Sequence, residues 1–378
     1  MKIKEGKGRK KERKGKKIAS NILFLIMVLG LTLPTASAAT ITVDPIGNGD
    51  YTSIQAAIDA ADPEDTILVN SGTYTENLKI DKLLKLWSDS RNPENTLIRA
   101  TNPNEPVIEI KASRTTLNGF GISGSDEAGI YLEGVEKCEI SNNEISGAKT
   151  GLLLKDSGKN ILTNNVISLN EKGVLLENSN ENTIQKNTIA YNYGFGVSLE
   201  GSIGNQIYNN YLKNTENVEE RSENSENAWG ISISRDKNVV GGPFVSGNFW
   251  ANPEGTGFSE TGTDEDGNGL CDSRYEIMEG LFDEYPLYPK YPTGVENLET
   301  RLDIEGYEAG LAEREKMKVE EGAEGEDTVE NESEADPNDT EDKEEEPASK
   351  ENGGLPAPGF AITAAIIGTV YLLKRRRN

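Results

Sequence analysis

The chain has 378 residues and a net charge of −25 that is unevenly distributed. The first 39 residues carry ten basic and two acidic side chains, or +8, so the rest of the chain carries −33. So acidic a body repels nucleic acid and anionic lipid, and we expect no nucleic-acid partner. The chain has no histidine and only two cysteines, which argues against a transition-metal centre and against a disulfide framework.

Residues 1–39 are predicted to be a signal peptide. A basic stretch is followed by the apolar run Ile22–Leu33 and then by small residues that end at Ala39. This is the order of a cleavable export signal. We expect cleavage near Ala38 or Ala39, and an uncut signal anchor is the alternative. Both interpretations place the body of the chain, from residue 40 onward, outside the cytoplasm.

A short capping helix is predicted at the start of the exported body. Thr52 and Gln55 have the spacing of a capping box, and Pro63 ends the helix. Its apolar stripe consists of Ile54, Ala57, Ile58 and Ala61. We expect this helix to plug the N-terminal end of a solenoid, whose ends need caps.

Residues 40–250 contain an internal repeat. A segment Gly-x-x-Leu recurs with spacings of 22, 22 and 23 residues, beginning at Gly129, Gly151, Gly173 and Gly196. Apolar residues alternate in short runs within each repeat, and Gly and Asn separate these runs, as in strands and turns. A 22-residue unit of short strands without a helix closes as one coil of a parallel β-helix. We expect about eight coils between residues 65 and 250.

A second motif, with two Asn and two apolar residues, keeps the same step. It begins at Asn160, Asn182 and Asn205, and Cys138 takes the first position one period earlier. Stacked Asn side chains can form hydrogen-bonded ladders, so these residues are predicted to be structural. Cys138 is predicted to be a small buried thiol. Looser matches predict earlier strands at Ile67–Val69, Leu83–Leu86, Thr96–Ile98, Val107–Ile110 and Leu117–Ile122.

Aromatic residues gather toward the end of the repeats. An insertion rich in Asn and Glu, residues 213–228, breaks the 22-residue step and is predicted to project as a loop beside them. Exposed aromatic rings can stack on the apolar faces of sugars. The predicted ligand-binding residues are Tyr191, Tyr193, Trp229 and Trp250. The alternative is that these rings fill the core or the cap.

Residues 251–293 are predicted to form a C-terminal cap with a calcium loop. Oxygen ligands fall at positions 1, 3, 5, 7 and 9 of an EF-hand-type loop, supplied by Asp264, Asp266, Asn268, the Leu270 carbonyl and Asp272. Gly269 occupies position 6, but position 12 is Tyr275 instead of glutamate. A weak structural calcium site is therefore weighed against an acidic turn without metal.

The C-terminal part is predicted to be a stalk and an anchor. Residues 294–352 form an acidic linker, although a short helix is possible at 296–318. Within residues 353–378, Leu355–Phe360, an apolar run and a final basic cluster resemble the PGF-CTERM sorting signal of archaeal surface proteins. The resemblance implies replacement of the tail by a lipid anchor, and a single transmembrane helix is the alternative. Either would hold the body at the cell membrane.

The body resembles known β-helix families in three places. Residues 43–78 resemble the opening of pectin-lyase-like proteins, and the Asn-containing coils resemble NosD and carbohydrate-binding/sugar-hydrolase (CASH) repeats. Residues 247–287 resemble the end of NosD-type repeat domains. The resemblance covers about residues 42–290 and implies a right-handed single-stranded parallel β-helix. It leaves function open, because one fold hosts many activities.

Three carboxylates are candidates for catalysis. Glu133, Glu177 and Glu200 each follow the repeated Gly-x-x-Leu segment, so they fall in one column, with Lys155 between the first two. Glu177 and Glu200 would lie one strand spacing apart, ~4.8 Å. Like charges this close can form the acid/base pair of a polysaccharide lyase or hydrolase. We favour the alternative of a solvated column partly neutralised by Lys155.

The resemblance to NosD also implies a role in copper-site maturation. Copper needs imidazole or soft ligands, and the exported body has no His, two Cys and only Met278 and Met317. We therefore expect no copper. The sequence favours a membrane-tethered surface protein that binds a polysaccharide or another envelope component without cleaving it. A lyase or hydrolase, and a copper accessory protein, are the alternatives.

Overall fold

The computed structural model describes residues 38–222, 226–289 and 306–312. The signal peptide up to residue 37, the acidic run 320–346 and the C-terminal apolar run all lie outside the described residues. The body is a right-handed parallel β-solenoid of about eight coils, as predicted. Each coil contributes one short strand to each of three parallel sheets, which we call A, B and C.

The strands are numbered along the chain. Sheet A contains β1 (Thr40–Val43), β2 (Thr66–Val69), β5 (Lys85–Ser88), β8 (Thr116–Asn118), β11 (Glu139–Ser141), β14 (Ile161–Thr163), β17 (Thr183–Gln185) and β20 (Gln206–Tyr208). Sheet B contains β3 (Gly72–Thr75), β6 (Thr96–Arg99), β9 (Gly121–Ser123), β12 (Glu144–Ser146), β15 (Val166–Ser168), β18 (Thr188–Ala190), β21 (Tyr211–Lys213) and β25 (Phe249–Ala251). Sheet C contains β4 (Leu78–Ile80), β7 (Ile108–Ile110), β10 (Ala128–Glu133), β13 (Thr150–Lys155), β16 (Lys172–Glu177), β19 (Phe195–Glu200) and β22 (Glu216–Glu220).

Smaller elements lie at the two ends. Helix α1 (Ile54–Ala60) covers the N-terminal end, with Ile54, Ala57 and Ile58 buried against the first coils. The C-terminal end carries helix α2 (Phe258–Thr261) and two antiparallel pairs: β23 (Ser234–Arg235) with β24 (Phe244–Val245), and β26 (Tyr275–Met278) with β27 (Leu281–Asp283). Within the described part of the chain, no helix is long and apolar enough to cross a membrane.

The core is a stack of equivalent aliphatic residues. Leu132, Leu154, Leu176 and Leu199 lie side by side in sheet C and are fully buried. Burying one such side chain contributes about 1.5–3 kcal/mol, so the repeat itself builds the core. The recurrent glycine is required at a corner: a Cβ at Gly151 would lie 2.6 Å from Ile167 Cγ2 and 2.8 Å from the Gly173 carbonyl oxygen.

The predicted Asn ladders are confirmed. Asn160 is fully buried and donates from its backbone N–H and its Nδ2 to Asn182 Oδ1 one coil later, at 2.9 and 3.0 Å. The two predicted ladders are Asn160, Asn182, Asn205 and Asn227, and Asn143, Asn165, Asn187, Asn210 and Asn248. A third ladder, which the motif does not include, is Asn170, Asn192, Asn214 and Asn217. Cys138 precedes the first ladder, donating its N–H to Asn160 at 2.8 Å, and burial raises the pKa of its thiol to about 11.

The cap of α1 differs from the prediction. The N-cap is Ser53 and not Thr52. The carboxylate of Glu76 accepts the N–H groups of Ile54 and Gln55 at 3.0 and 2.9 Å. The acid that completes the cap therefore comes from the following coil, a contact that local sequence spacing does not reveal.

Two other segments are also corrected. The stretch 117–122, predicted as one strand, is the end of β8 and the start of β9. The chain turns between them at Gly119, whose φ is +89°. The insertion 213–228 is not simply a projecting loop, because Glu216–Glu220 form β22 and pair with β19. The insertion therefore supplies the last strand of sheet C.

Candidate functional site

The three candidate carboxylates do form one column on sheet C. Glu133 lies opposite Lys155, Lys155 lies opposite Glu177, and Glu177 lies opposite Glu200. The column is extended by Lys111, whose Nζ is 3.0 Å from Glu133 Oε2. Acidic and basic residues therefore alternate along most of the column, and only Glu177 and Glu200 are like-charged neighbours.

Glu200 belongs to a four-residue charge cluster at the C-terminal end of the column. Lys172 Nζ lies 3.4 Å from Glu200 Oε1 and 3.2 Å from Glu219 Oε2. Arg221 also contacts both carboxylates, and Ser198 Oγ donates to Glu219 Oε2 at 3.0 Å. Sequence spacing does not reveal Glu219 and Arg221 as members, because both fall in the insertion that breaks the 22-residue step.

The electrostatics of Glu133 favour its ionised form. A hydrogen bond from Lys111 and a second from Tyr131 hold the pKa of Glu133 below its usual value. A general acid needs the opposite shift, which arises from burial or from an uncompensated like charge. Here Lys155 lies beside Glu177, and Lys172 and Arg221 contact Glu200. Cations therefore lie next to all three carboxylates of the column.

The prediction that Trp229 and Trp250 are exposed sugar-binding residues is wrong. Both are 1 % exposed, and their ring centroids are 5.7 Å apart at the C-terminal end of the core. Trp250 Nε1 donates to Asp283 Oδ2 at 2.8 Å. The last coil has no following coil to cover its aliphatic residues, so two large rings take that place.

The other two predicted aromatic ligands are covered by the chain itself. Tyr191 is buried, and Tyr193 is half-buried. Tyr307, in the helical residues 306–312, lies edge-on to Tyr191 at 5.2 Å and stacks on Tyr193 at 5.4 Å. The Tyr307 hydroxyl is 3.1 Å from Thr215 Oγ1. Residues 306–312 fall within 296–318, where a short helix is expected, but no sequence signal predicts that Tyr307 packs on the solenoid.

The predicted calcium loop brings its acidic residues together. Carboxylate oxygens of Asp264, Asp266 and Asp272 all lie within 4.8 Å of one another. Asp264 accepts the N–H groups of Asn268 and Gly269 at 2.9 and 2.8 Å, which closes the loop. The loop is attached to the cap through Leu270 and Cys271: Leu270 is buried and bridges Leu287, and the N–H of Cys271 donates to the Pro286 carbonyl at 2.8 Å.

The donor set of this loop suits calcium and does not suit copper. Clustered carboxylates are hard oxygen ligands of the kind that calcium prefers. Tyr275 is not a twelfth-position ligand, because its ring packs against Trp250 and Phe258 at 4.7 and 4.9 Å. Among the described residues, Cys138 and Cys271 are the only thiols and both are buried, and burial raises their pKa values to about 11 and 12. Thiolates, thioethers and imidazoles are the ligands that copper prefers, and neither buried thiol belongs to this loop's set of donors.

Comparison with protein families identifies the family to which the chain belongs. The profile of NosD, described as a periplasmic copper-binding protein, matches residues 63–255, just over half of the chain. The chain belongs to the NosD family. This NosD-family chain is also 33 % identical over 130 residues to a cell surface glycoprotein of Methanothermus fervidus. That alignment covers 33 % of this chain and 21 % of the glycoprotein, so it spans only about a fifth of the relative.

Solved structures with a similar solenoid include carbohydrate-active enzymes. The alginate lyase of Paenibacillus sp. is 16 % identical, with 48 % of this chain and 68 % of that chain covered and a TM-score of 0.36. The pectin methylesterase of carrot is 13 % identical, with 48 % and 63 % covered and a TM-score of 0.34. Likenesses at these scores carry no information on the activity of the NosD-family chain.

Proposed function

We propose that this NosD-family chain is an exported protein of the cell surface that binds a glycan or another envelope component without cleaving it. The observation that carries the non-enzymatic part is the pairing on sheet C. Each candidate carboxylate has a cation beside it: Lys111 for Glu133, Lys155 for Glu177, and Lys172 with Arg221 for Glu200. A neighbouring cation stabilises the charged form of a carboxylate, whereas a general acid must hold its proton.

Export and tethering rest on both ends of the sequence. The basic and apolar N-terminus supports export, and the final apolar run with its basic cluster supports an anchor with the body outside. The acidic linker would hold the solenoid away from the membrane, because like charges extend the chain. The likeness to a cell surface glycoprotein supports the same location.

We propose no copper role for this member, although the family description names copper. The chain has no histidine, and its two thiols are buried in the solenoid and the cap. The loop of Asp264, Asp266 and Asp272 would instead hold a structural calcium ion. Calcium would offset the mutual repulsion of the three carboxylates and so stabilise the cap.

Calcium binding can be tested on stability. We expect millimolar calcium to raise the thermal unfolding midpoint of the purified chain, in the affinity range of about 10⁻⁴–10⁻³ M that is typical of extracellular modules. Asp264→Asn combined with Asp272→Asn should abolish this increase. Asp236→Asn, an exposed acid paired with Lys186 on another part of the surface, should leave it intact. An equal calcium response in both variants would place the ion elsewhere.

The main proposal is tested by incubating the purified chain with a panel of neutral and acidic polysaccharides. Size-exclusion chromatography coupled to mass spectrometry reports both binding and glycan length. Intact glycan that co-elutes with the protein is the expected result. Shortened glycan would make the chain a lyase or hydrolase, and absence of any complex would refute glycan binding.

A further inference from the structure

The three sheets end at different heights at the C-terminal end of the solenoid. Sheet B continues to β25, and sheet A is followed by a bridge between Gln206 and Ala228. Sheet C stops at β22, so among the described strands β22 has a neighbour on one side only. Helix α2 and strand β26 stand opposite this edge. Between them lies an open cleft of about 400 Å³, which we call the terminal cleft.

One wall of the terminal cleft is aromatic. Phe258 at the start of α2 and Tyr275 at the start of β26 are half-buried, with ring centroids 4.9 Å apart. Tyr275 rests on the buried Trp250 at 4.7 Å, which fixes its ring. The wall therefore consists of two packed aromatic rings that the core holds in place.

The rim of the terminal cleft is polar and held in place. Asn252 Nδ2 donates to Thr256 Oγ1 at 3.0 Å, and Asn252 Oδ1 accepts the Thr256 N–H at 2.8 Å. On the opposite side Asn217 Nδ2 donates to the Ala251 carbonyl at 2.8 Å. The outer edge of β22 adds backbone groups that no neighbouring described strand pairs with. Amides, a hydroxyl and backbone groups thus surround the aromatic wall.

We infer that the terminal cleft binds a neutral sugar unit of a glycan. A pyranose ring has an apolar face for Phe258 and Tyr275 and hydroxyl groups for the amide rim. Glu216 is the one charged residue among those that line the cleft, so an anionic sugar would meet repulsion and no cation. The volume is at the lower end of the ~300–1,000 Å³ of small-ligand sites, which suits a chain end or a side branch.

The inference rests on the proposed glycan binding and specifies where it occurs. It also connects the cleft with the acidic loop, because residues 264–272 join α2 to β26. Phe258 and Tyr275, which form the aromatic wall, therefore lie on the two elements that this loop connects.

The test uses the purified full-length chain and isothermal titration with short oligosaccharides of glucose, galactose and N-acetylglucosamine, together with uronic-acid oligosaccharides. Thr256→Trp and Glu216→Trp place a large ring on opposite sides of the cleft, both at exposed positions. Thr261→Trp is the matched control, since Thr261 is exposed on α2 but does not line the cleft. Tyr131→Ala removes an aromatic side chain of sheet C, beside Glu133, as a second control.

We expect the wild type to bind a neutral oligosaccharide and not the uronic acids. Both cleft variants should weaken binding by about tenfold or more, a change of about 1.4 kcal/mol, while both controls bind as the wild type does. Binding that survives in the two cleft variants, and is lost in Tyr131→Ala, would overturn the inference and leave glycan binding intact. Absence of binding by the wild type to every oligosaccharide and polysaccharide would refute both. Unchanged thermal midpoints establish that each variant is folded.

Discussion

The middle coils and the C-terminal end of the solenoid use different side chains to hydrogen-bond their buried polar groups. In the middle, three columns of buried polar side chains are amides, and each amide meets an identical amide one coil away, as Asn165 meets Asn187 at 3.0 Å. Nothing charged is buried in these ladders. At the C-terminal end the second ladder stops at Asn248, and its backbone N–H donates to a carboxylate, Asp283 Oδ2, at 2.7 Å.

The last coil of a repeat needs a different hydrogen-bond partner, because no further coil follows it. An Asn within a ladder donates and accepts, because it has a coil on each side. Asp283 accepts only, from the N–H groups of Asn248 and Tyr285 and from Trp250 Nε1. It approaches so closely that a Cβ at Gly247 would lie 1.9 Å from its Oδ1. The end is thus closed by one buried acid and two tryptophans, so we expect it to be the more fragile region.

The largest expected effect is loss of the aromatic plug. Trp250→Ala removes a fully buried ring and one donor to Asp283, which should destabilise the end by about 4 kcal/mol. Because neighbouring coils contribute most of the stability of any one coil, the loss should stay local. Hydrogen exchange is the measurement: protection should fall in residues 226–289 and persist in residues 128–190. A uniform loss would mean that the two regions unfold as one unit.

Asp283 should make the stability of the C-terminal end depend on pH, in contrast to that of the Asn ladders in the middle coils. Burial raises the pKa of Asp283 to about 7, against the three N–H donors, which favour its ionised form. Because its pKa is higher in the folded state, the protein is more stable when Asp283 is protonated. The stabilisation is therefore fully present below the unfolded pKa of 3.8 and is lost as pH rises through about 7.

The expected loss between pH 4 and pH 8 is on the order of 2–4 kcal/mol, and it is confined to the end. The comparison is between the wild type and Asp283→Asn, which has no charge to lose, with unfolding midpoints measured across that range. Other acids titrate equally in both proteins, so the difference isolates Asp283. Parallel curves for the two proteins would contradict the assigned shift.

Loss of a single amide from the middle coils should destabilise the protein somewhat less than loss of Trp250. Asn187→Ala leaves the N–H of Asn165 and the Leu162 carbonyl without their side-chain partner, at a cost of about 2–3 kcal/mol. The same change at Asn217, the half-buried last member of its ladder, should cost about 1 kcal/mol. Urea midpoints of the two variants measure the difference. Equal losses would mean that position within a ladder does not matter.

The regular middle was predictable for a physical reason. A repeat of 22 residues places equivalent residues side by side, so the core leucines and the Asn ladders can be derived from spacing alone. The same spacing predicted the column of Glu133, Glu177 and Glu200. It failed where the step changes: Glu219 and Arg221 come after a break, and their register could not be counted.

The end was not predictable because its contacts are not periodic. Trp250 is buried by Tyr275 and Trp229, which belong to no repeat, and aromatic residues near a repeat's end are equally typical of ligand sites. Tyr307 packs on Tyr191 from a segment whose composition indicates a linker. Asp283 resembles any other acid in a chain with 64 of them. The spacing of residues in the sequence therefore does not predict these contacts.

The smallest expected effect is on the charged column. Glu177→Gln combined with Glu200→Gln removes two partly exposed carboxylates whose partners keep other neighbours: Lys172 retains Glu219, for example. Ion pairs of this exposure contribute about 0–1 kcal/mol, so the urea midpoint should hardly change. Glycan binding should also stay within about twofold if the terminal cleft is the site. Should the wild type shorten a polysaccharide and this double variant fail to do so while staying folded, the column would be catalytic. The regular middle, and not the irregular end, would then carry the function.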